Sequence, residues 1–428
     1  MSNAMNEEPG GRATAPTVDA AQPSASSALA TDERLITKRG IRGYLKGDLG
    51  FAPVLITLII VAIYFQFASA GVFLAPTNLS NLALQIVTIG TLGIAAVLVL
   101  LLGEIDLSLA AVSQACAAIC GVLIVRQGLP AWLGVILAIL IGTIIGLANG
   151  FFISTLRIPS FIVTLSGSLA YAGLLLTVLL PQTTLQVRDP WVSSLSTTYL
   201  SPVLGIGLPI AIVAIYIALT MLNRQRRART GLRVASVTNL GLKFGAIILV
   251  TALVLIGFHI ETSPGVSGKG VPQSTAIWIG LILIVWMVLK FTSFGRHVYA
   301  VGGNAEASRR AGINVGGVRI AVFALASTLA AIGGILQLSR AGAADAAVNP
   351  TLLLNSIAAA VIGGVSLFGG RGSVWAVVLG ALVIGSIENG LNLLSQGQDV
   401  KYIVEGLVLL LAVTADALLR RANATSGR

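Results

Sequence analysis

The chain has 428 residues, of which 56% are hydrophobic and only 10% charged, with a mean hydropathy of +0.93. Soluble proteins carry about a quarter charged residues, so this composition excludes a water-soluble globule and indicates a bilayer protein. The formal net charge of +11 is not a nucleic-acid footprint, because the Lys and Arg residues gather in polar connections between apolar runs, where they orient a membrane chain.

In chain order, Met1–Ala4 reads as a cloning remnant ahead of a second initiator, Met5. Residues 6–30 are rich in Ala, Ser, Pro, Thr and Gly without an apolar period, so 1–48 is expected to be a disordered cytoplasmic tail. No cleavable signal peptide is expected, since the first apolar run is too long and too far from the start. A transmembrane domain over 49–421 follows, then a tail over 422–428. The expected fold is an all-α polytopic membrane protein with about twelve segments, at approximately 51–70, 82–102, 107–125, 131–153, 161–180, 202–222, 240–258, 274–290, 320–338, 352–368, 374–394 and 402–419. The third and tenth are the ones that could be re-entrant, because Glu104 and Asp106 crowd one connection and Phe368–Ser373 the other. Alternate threading puts Arg126, Arg188, Lys269, Arg340 and Lys401 on one side and leaves 22 of the 27 basic residues with the two termini, which predicts cytoplasmic termini.

Polar residues inside apolar runs are the candidates for a path. Asn81, Gln85 and Thr88 form a weak stripe on the second run. Glu104 and Asp106 precede the third, where Asp106 most simply caps the helix with Ser108 in its first turn, a role Glu104 lacks. Cys116 and Cys120 read as small buried hydrophobes without a nearby histidine to complete a metal site. Gly142, Gly146 and Gly150 form a small-residue packing seam, and Ser160, Thr164 and Ser168 a second weak polar stripe. Gly265–Gly270 superficially resembles a phosphate loop but lacks the required spacing. In the eleventh run Glu388, Asn392 and Gln396 recur every four residues; a carboxylate there serves either a path or an interhelical hydrogen bond. His259 and His297 lie at predicted membrane edges and read as interfacial residues.

The polar connection at 292–318 is the longest on the side of the termini. Asn304 can cap a short helix over 305–311, with Glu306 in its first turn and Gly312 as its stop. Here the sequence resembles a family. The loop Gly303, Asn304, Glu306, Ala307, Arg309, Arg310, Gly312, together with Glu104-Ile105-Asp106-Leu107-Ser108 and Pro159-Ser160-Phe161-Ile162-Val163-Thr164-Leu165, is similar to the permeases of ABC sugar importers of the ribose, xylose and galactoside type, most like the xylose branch. Ser308, Arg310 and Ala110 depart from the family pattern, which bears on local packing and partner pairing. The resemblance implies that the 303–312 loop docks on a separate ABC ATPase subunit that hydrolyses ATP. It also implies a periplasmic or extracellular sugar-binding protein, a homodimer of the permease, surrounding membrane lipid, and residence in a bacterial inner membrane. The chain itself is expected to carry no catalytic residue, cofactor or metal, and no nucleic-acid partner. The rival reading is a secondary transporter whose relay would be Glu104, Asp106 and Glu388; a non-transporting scaffold is a further one.

Overall fold

A computed structural model describes residues 52–230 and 270–425, with scattered positions between 240 and 267. Its helices begin with α1 (Ala52–Ala68), α2 (Pro76–Leu101), α3 (Leu109–Val125), α4 (Ala131–Ser154) and α5 (Ser160–Leu179). A short strand, β1 (Thr184–Gln186), leads to α6 (Pro190–Thr197) and α7 (Pro202–Arg229), and then come β2 (Glu261–Ser263) and β3 (Val266–Ser267). The rest comprises α8 (Gln273–Phe291), α9 (Ser293–Gly303), α10 (Ala305–Arg310), α11 (Val315–Ala341), β4 (Ala343–Asp345), α12 (Pro350–Ile362), α13 (Ala376–Leu393) and α14 (Gln398–Thr425). Starts are set locally. Proline occupies the first turn of α2, α6, α7 and α12, where its missing N–H leaves nothing unsatisfied, and the Asp189 carboxylate accepts from Trp191 N and Val192 N at 2.9 and 3.1 Å.

Among the described residues, seven helices are long and apolar enough to cross a membrane: α2, α4, α5, α7, α8, α11 and α13. Val54–Ala68 of α1, and the whole of α3 and α12, are shorter apolar helices. The expected segment at 240–258 and the loop at 265–270 fall where only scattered positions are described. The tenth segment differs from its expectation: α12 stops at Ile362, because Gly364, at φ 102, turns the chain into a glycine-rich connection. Its 13 residues span about 20 Å, short of the ~30 Å hydrocarbon core. At the C-terminus α14 runs on to Thr425, through the first residues of the expected tail.

The helix α2 is apolar all round and almost wholly buried, which makes it the central post of the bundle. Against it lies α11, which packs on α4 more extensively than any other pair. The expected glycine seam produces that contact: side chains at Gly142, Gly146 and Gly150 would run into α11 at Ala331, Phe323 and Ile320. The outer helices turn large apolar side chains outward, among them Ile144, Leu169 and Val203, so the bundle's apolar surface is disposed for lipid.

Connections meet at two ends. At one, β1 pairs antiparallel with β4, Tyr199 bridges to Pro272, and the Arg126 guanidinium donates to the Val178, Leu179 and Leu180 carbonyls closing α5. At the other, Gly370 N donates to the Leu101 carbonyl at 2.9 Å, and Arg319 meets Glu104.

Candidate functional site

A cavity of ≈ 90 Å³ opens between α2, α11, α12 and α13 near the first of these ends. Helical spacing builds it in pairs: Gln85 and Thr88 from α2, and Gln337 and Arg340 from α11. The start of α12 adds Asn349, Thr351 and Asn355, and α13 adds Glu388. Thr88 and Asn355 are buried, whereas Arg340 and Asn349 stand exposed at the mouth. Two predicted path residues, Gln85 and Glu388, therefore share one cavity.

The cavity's polar groups are unevenly satisfied. Glu388 and Arg340 face the same space and attract one another without a direct hydrogen bond, Lys401 lying near enough to Glu388 to act on it as well, and Gln337 Oε1 is buried without a partner. Beside them a buried amide cluster is complete. Asn78 and Asn389 exchange bonds at 2.8 and 3.1 Å, and Asn389 also donates to Gln85 Oε1 at 3.3 Å. Asn389, not the predicted Asn392, is thus the inward polar contact of α13. Asn392, one turn beyond Glu388, is exposed and accepts from Lys401 Nζ. A second cavity of ≈ 180 Å³ lies on the other side of α12, sharing Thr351 and Asn355 and adding Glu405 from α14. Sequence reasoning missed Glu405, Arg340, Gln337 and Asn355. The two charges sit near helix ends, where they read as anchors, and no four-residue period marks the amides.

The remaining path candidates lie elsewhere. From Gln85 to Leu101 the chain climbs about 24 Å along α2, and only then reaches Glu104 and Asp106. Glu104 Oε1 is 2.9 Å from Arg319 Nη2, with both side chains largely buried, so it has the structural partner the sequence did not show. Asp106 Oδ1 accepts from Ser108 N and Ser108 Oγ at 2.8 and 2.6 Å, closing a turn ahead of α3 whose cap position is Ser108 itself. Thr164 is fully buried; its hydroxyl oxygen accepts from Leu107 N at 3.0 Å while Ser160 Oγ accepts from Ile105 N at 3.3 Å. The stripe on α5 therefore holds the Ile105–Leu107 turn. Asn149 donates to Ser108 Oγ and accepts from the Tyr171 hydroxyl, extending the same network to α4.

The predicted docking loop also sits at this end. Asn304 Oδ1 accepts from Ala307 N at 2.9 Å and starts α10; Gly312, at φ 84, ends its turn in the left-handed region with open space around it. Glu306 pairs with Arg309 at 3.0 Å and Arg310 at 3.2 Å, all well exposed. Exposed pairs of this spacing stabilise a helix by only about 0.3–0.5 kcal/mol each, so these charges are chiefly presented outward. The sequence reading placed one short helix in this connection, and the structure adds a second, α9. Its signal was the spacing of Val298 and Val301, both buried. Gly302 of α9 lies so close to α2 that a Cβ there would strike the Leu101 carbonyl, and Gly303 beside it faces open space. The Tyr299 hydroxyl donates to the Gly372 carbonyl at 3.0 Å, and burial pushes its phenol above the ordinary range, keeping it a neutral donor. Cys116 and Cys120 are both buried among apolar neighbours.

A lipid-compatible helical bundle with a polar cavity toward one end and a capped, charged helix projecting at the other defines a membrane permease. Residues 78–413 match the family described as "Branched-chain amino acid transport system / permease component", and the chain belongs to that family. Its relatives include the xylose transport system permease protein XylH of Haemophilus influenzae, 35% identical over 85% of this chain and 95% of the relative. XylH of Escherichia coli is 33% identical over 90% and 96% of the two chains, and the ribose import permease protein RbsC of Bacillus subtilis 30% identical over 91% and 97%. No solved structure matches.

Proposed function

We propose that this chain is the membrane-spanning subunit of an ABC importer for a monosaccharide, a pentose of the xylose kind, delivered by an external binding protein and driven by a separate ATPase. Full-length similarity to permeases named for xylose and ribose supports the sugar class. The observation that carries the mechanism is the seating of α9 on α2. The exposed α10 continues from α9, and α9 touches the end of the same helix whose other half supplies Gln85 and Thr88 to the cavity. A push on α10 therefore acts through Gly302 on Leu101, and through Tyr299 on the turn that leads into α13 and Glu388. Both routes end at the cavity.

The same arrangement supports cytoplasmic placement of α10. The opposite end gathers Arg126, Arg188, Arg340 and Lys401, so the richer basic set lies with α10. The count of about twelve segments, cytoplasmic termini and pairing of two identical subunits belong to this reading, the last from the family resemblance alone. A carboxylate relay loses its geometry, because Glu104 is paired to Arg319 and separated from the level of Gln85 by most of α2.

The test is uptake into proteoliposomes holding this chain, its ATPase and its binding protein. Xylose accumulation that requires ATP and persists without an ion gradient supports the importer. Accumulation driven by an ion gradient in the absence of ATP would overturn it.

A further inference from the structure

We infer that the cavity between α2, α11, α12 and α13 is a low-affinity carbohydrate-binding site on the permease itself, in which Glu388 and Gln337 accept from sugar hydroxyls and Arg340 donates to them. The inference rests on the importer reading and deepens it. Three groups with strong hydrogen-bonding capacity face the cavity: the buried Gln337 Oε1, which has no partner, and the half-buried Glu388 carboxylate and the Arg340 guanidinium at the mouth, which attract one another across it without a direct hydrogen bond. A buried acceptor left unpaired, as at Gln337 Oε1, is costly, so a molecule able to satisfy it while bonding Glu388 and Arg340 gains what the protein leaves unmade.

The identity of that molecule follows from the lining. It presents acceptors and donors together with one charge of each sign, so neither an anion nor a cation is favoured by net charge. A sugar hydroxyl both donates and accepts, and a ring carrying several can answer Glu388, Gln337 and Arg340 at once. An amino acid could match the two charges, yet an apolar side chain would find only Ile89 and Leu352 as apolar walls. No aromatic residue lines the cavity. Without a ring to stack on, affinity rests on hydrogen bonds alone, as suits a site a substrate must leave. The first turn of α12 adds to this: Asn349 Oδ1 accepts from Thr351 N at 3.0 Å, so the helix start is capped at the cavity mouth.

The experiment uses Thr351→Cys in the full chain in nanodiscs, since Thr351 lines both cavities and the native Cys116 and Cys120 are buried. The rate of labelling by a membrane-impermeant maleimide is read with D-xylose, with L-leucine and with neither. At xylose about ten times a millimolar dissociation constant, labelling is expected to slow about tenfold, and leucine at the same concentration to leave it unchanged. Adding Glu388→Gln or, separately, Gln337→Leu should abolish protection. Two variants from different helices keep the test decisive should one fail to fold, and a monodisperse elution profile qualifies each. Protection by leucine and not by xylose would overturn the carbohydrate assignment. So would full protection surviving in both variants. Absence of protection in a chain that imports xylose with ATP would overturn this site while leaving the importer standing; a failure of the importer reading shows instead as loss of ATP-driven xylose uptake by the wild type.

Discussion

Replacing Gly302 by alanine adds one methyl group where α9 meets the end of α2. The new Cβ would fall on the Leu101 carbonyl and close to Gly370 N, both backbone atoms, so no rotamer change can relieve the collision. Overpacking of this kind costs typically about 1–3 kcal/mol, and the middle of that range is the expected cost here. Two kcal/mol corresponds to a roughly 30-fold change in an equilibrium or a rate. If the contact transmits motion from α10 to the cavity, Gly302→Ala should cut ATP-driven uptake by that order while the ATPase still binds and hydrolyses. The control is Gly280→Ala in the interior of α8: nothing lies within 4 Å of its Cβ, and replacing a glycine inside a helix favours the helix by about 0.5–1 kcal/mol. Uptake and hydrolysis are measured on the same proteoliposomes, with thermal stability in detergent alongside. Equal transport by Gly302→Ala and wild type would refute the proposed route, and equal losses in both glycine variants would show that the contact is not what matters.

Removing Glu104 leaves Arg319 partly buried and unpaired, so Glu104→Ala should lower stability by about 1–3 kcal/mol, seen as a drop in detergent melting temperature, and the exchanged pair Glu104→Arg with Arg319→Glu should recover part of it. Because α10's charges are exposed, Glu306→Lys should weaken ATPase binding several-fold in a pull-down while leaving the melting temperature within a degree or two; an unchanged affinity argues against docking there. Gly312→Glu forces a side chain into the left-handed region at about 1 kcal/mol or more, so it should uncouple hydrolysis from uptake, and Gly312→Asn, tolerated in that conformation, should retain more coupling. Cysteines placed at Gln182 and Gln398 should react with an impermeant reagent from outside, and those at Arg227 and Ala307 should not; external labelling at 227 would overturn the orientation.

Apolar run length, glycine spacing and cap chemistry are local properties, and they were readable directly. The runs foretold the long helices, Gly142, Gly146 and Gly150 the α4–α11 seam, and Asn304 with Gly312 the bounds of α10, because each depends on residues within a turn or two. The site depends on residues far apart in sequence. Glu388 and Gln85 meet only through the packing of α13 on α2, and Arg340, Gln337 and Asn355 join them from helices that carry no polar period. Likewise Glu104 gained its role from Arg319, more than two hundred positions away, and Thr164 became an anchor for the Ile105–Leu107 turn instead of a wall of the path. In α13 a four-residue period suggested Asn392, yet the bundle turned Asn389 inward. Which face of an apolar helix is buried is set by its neighbours, and only the assembled helices carry that information.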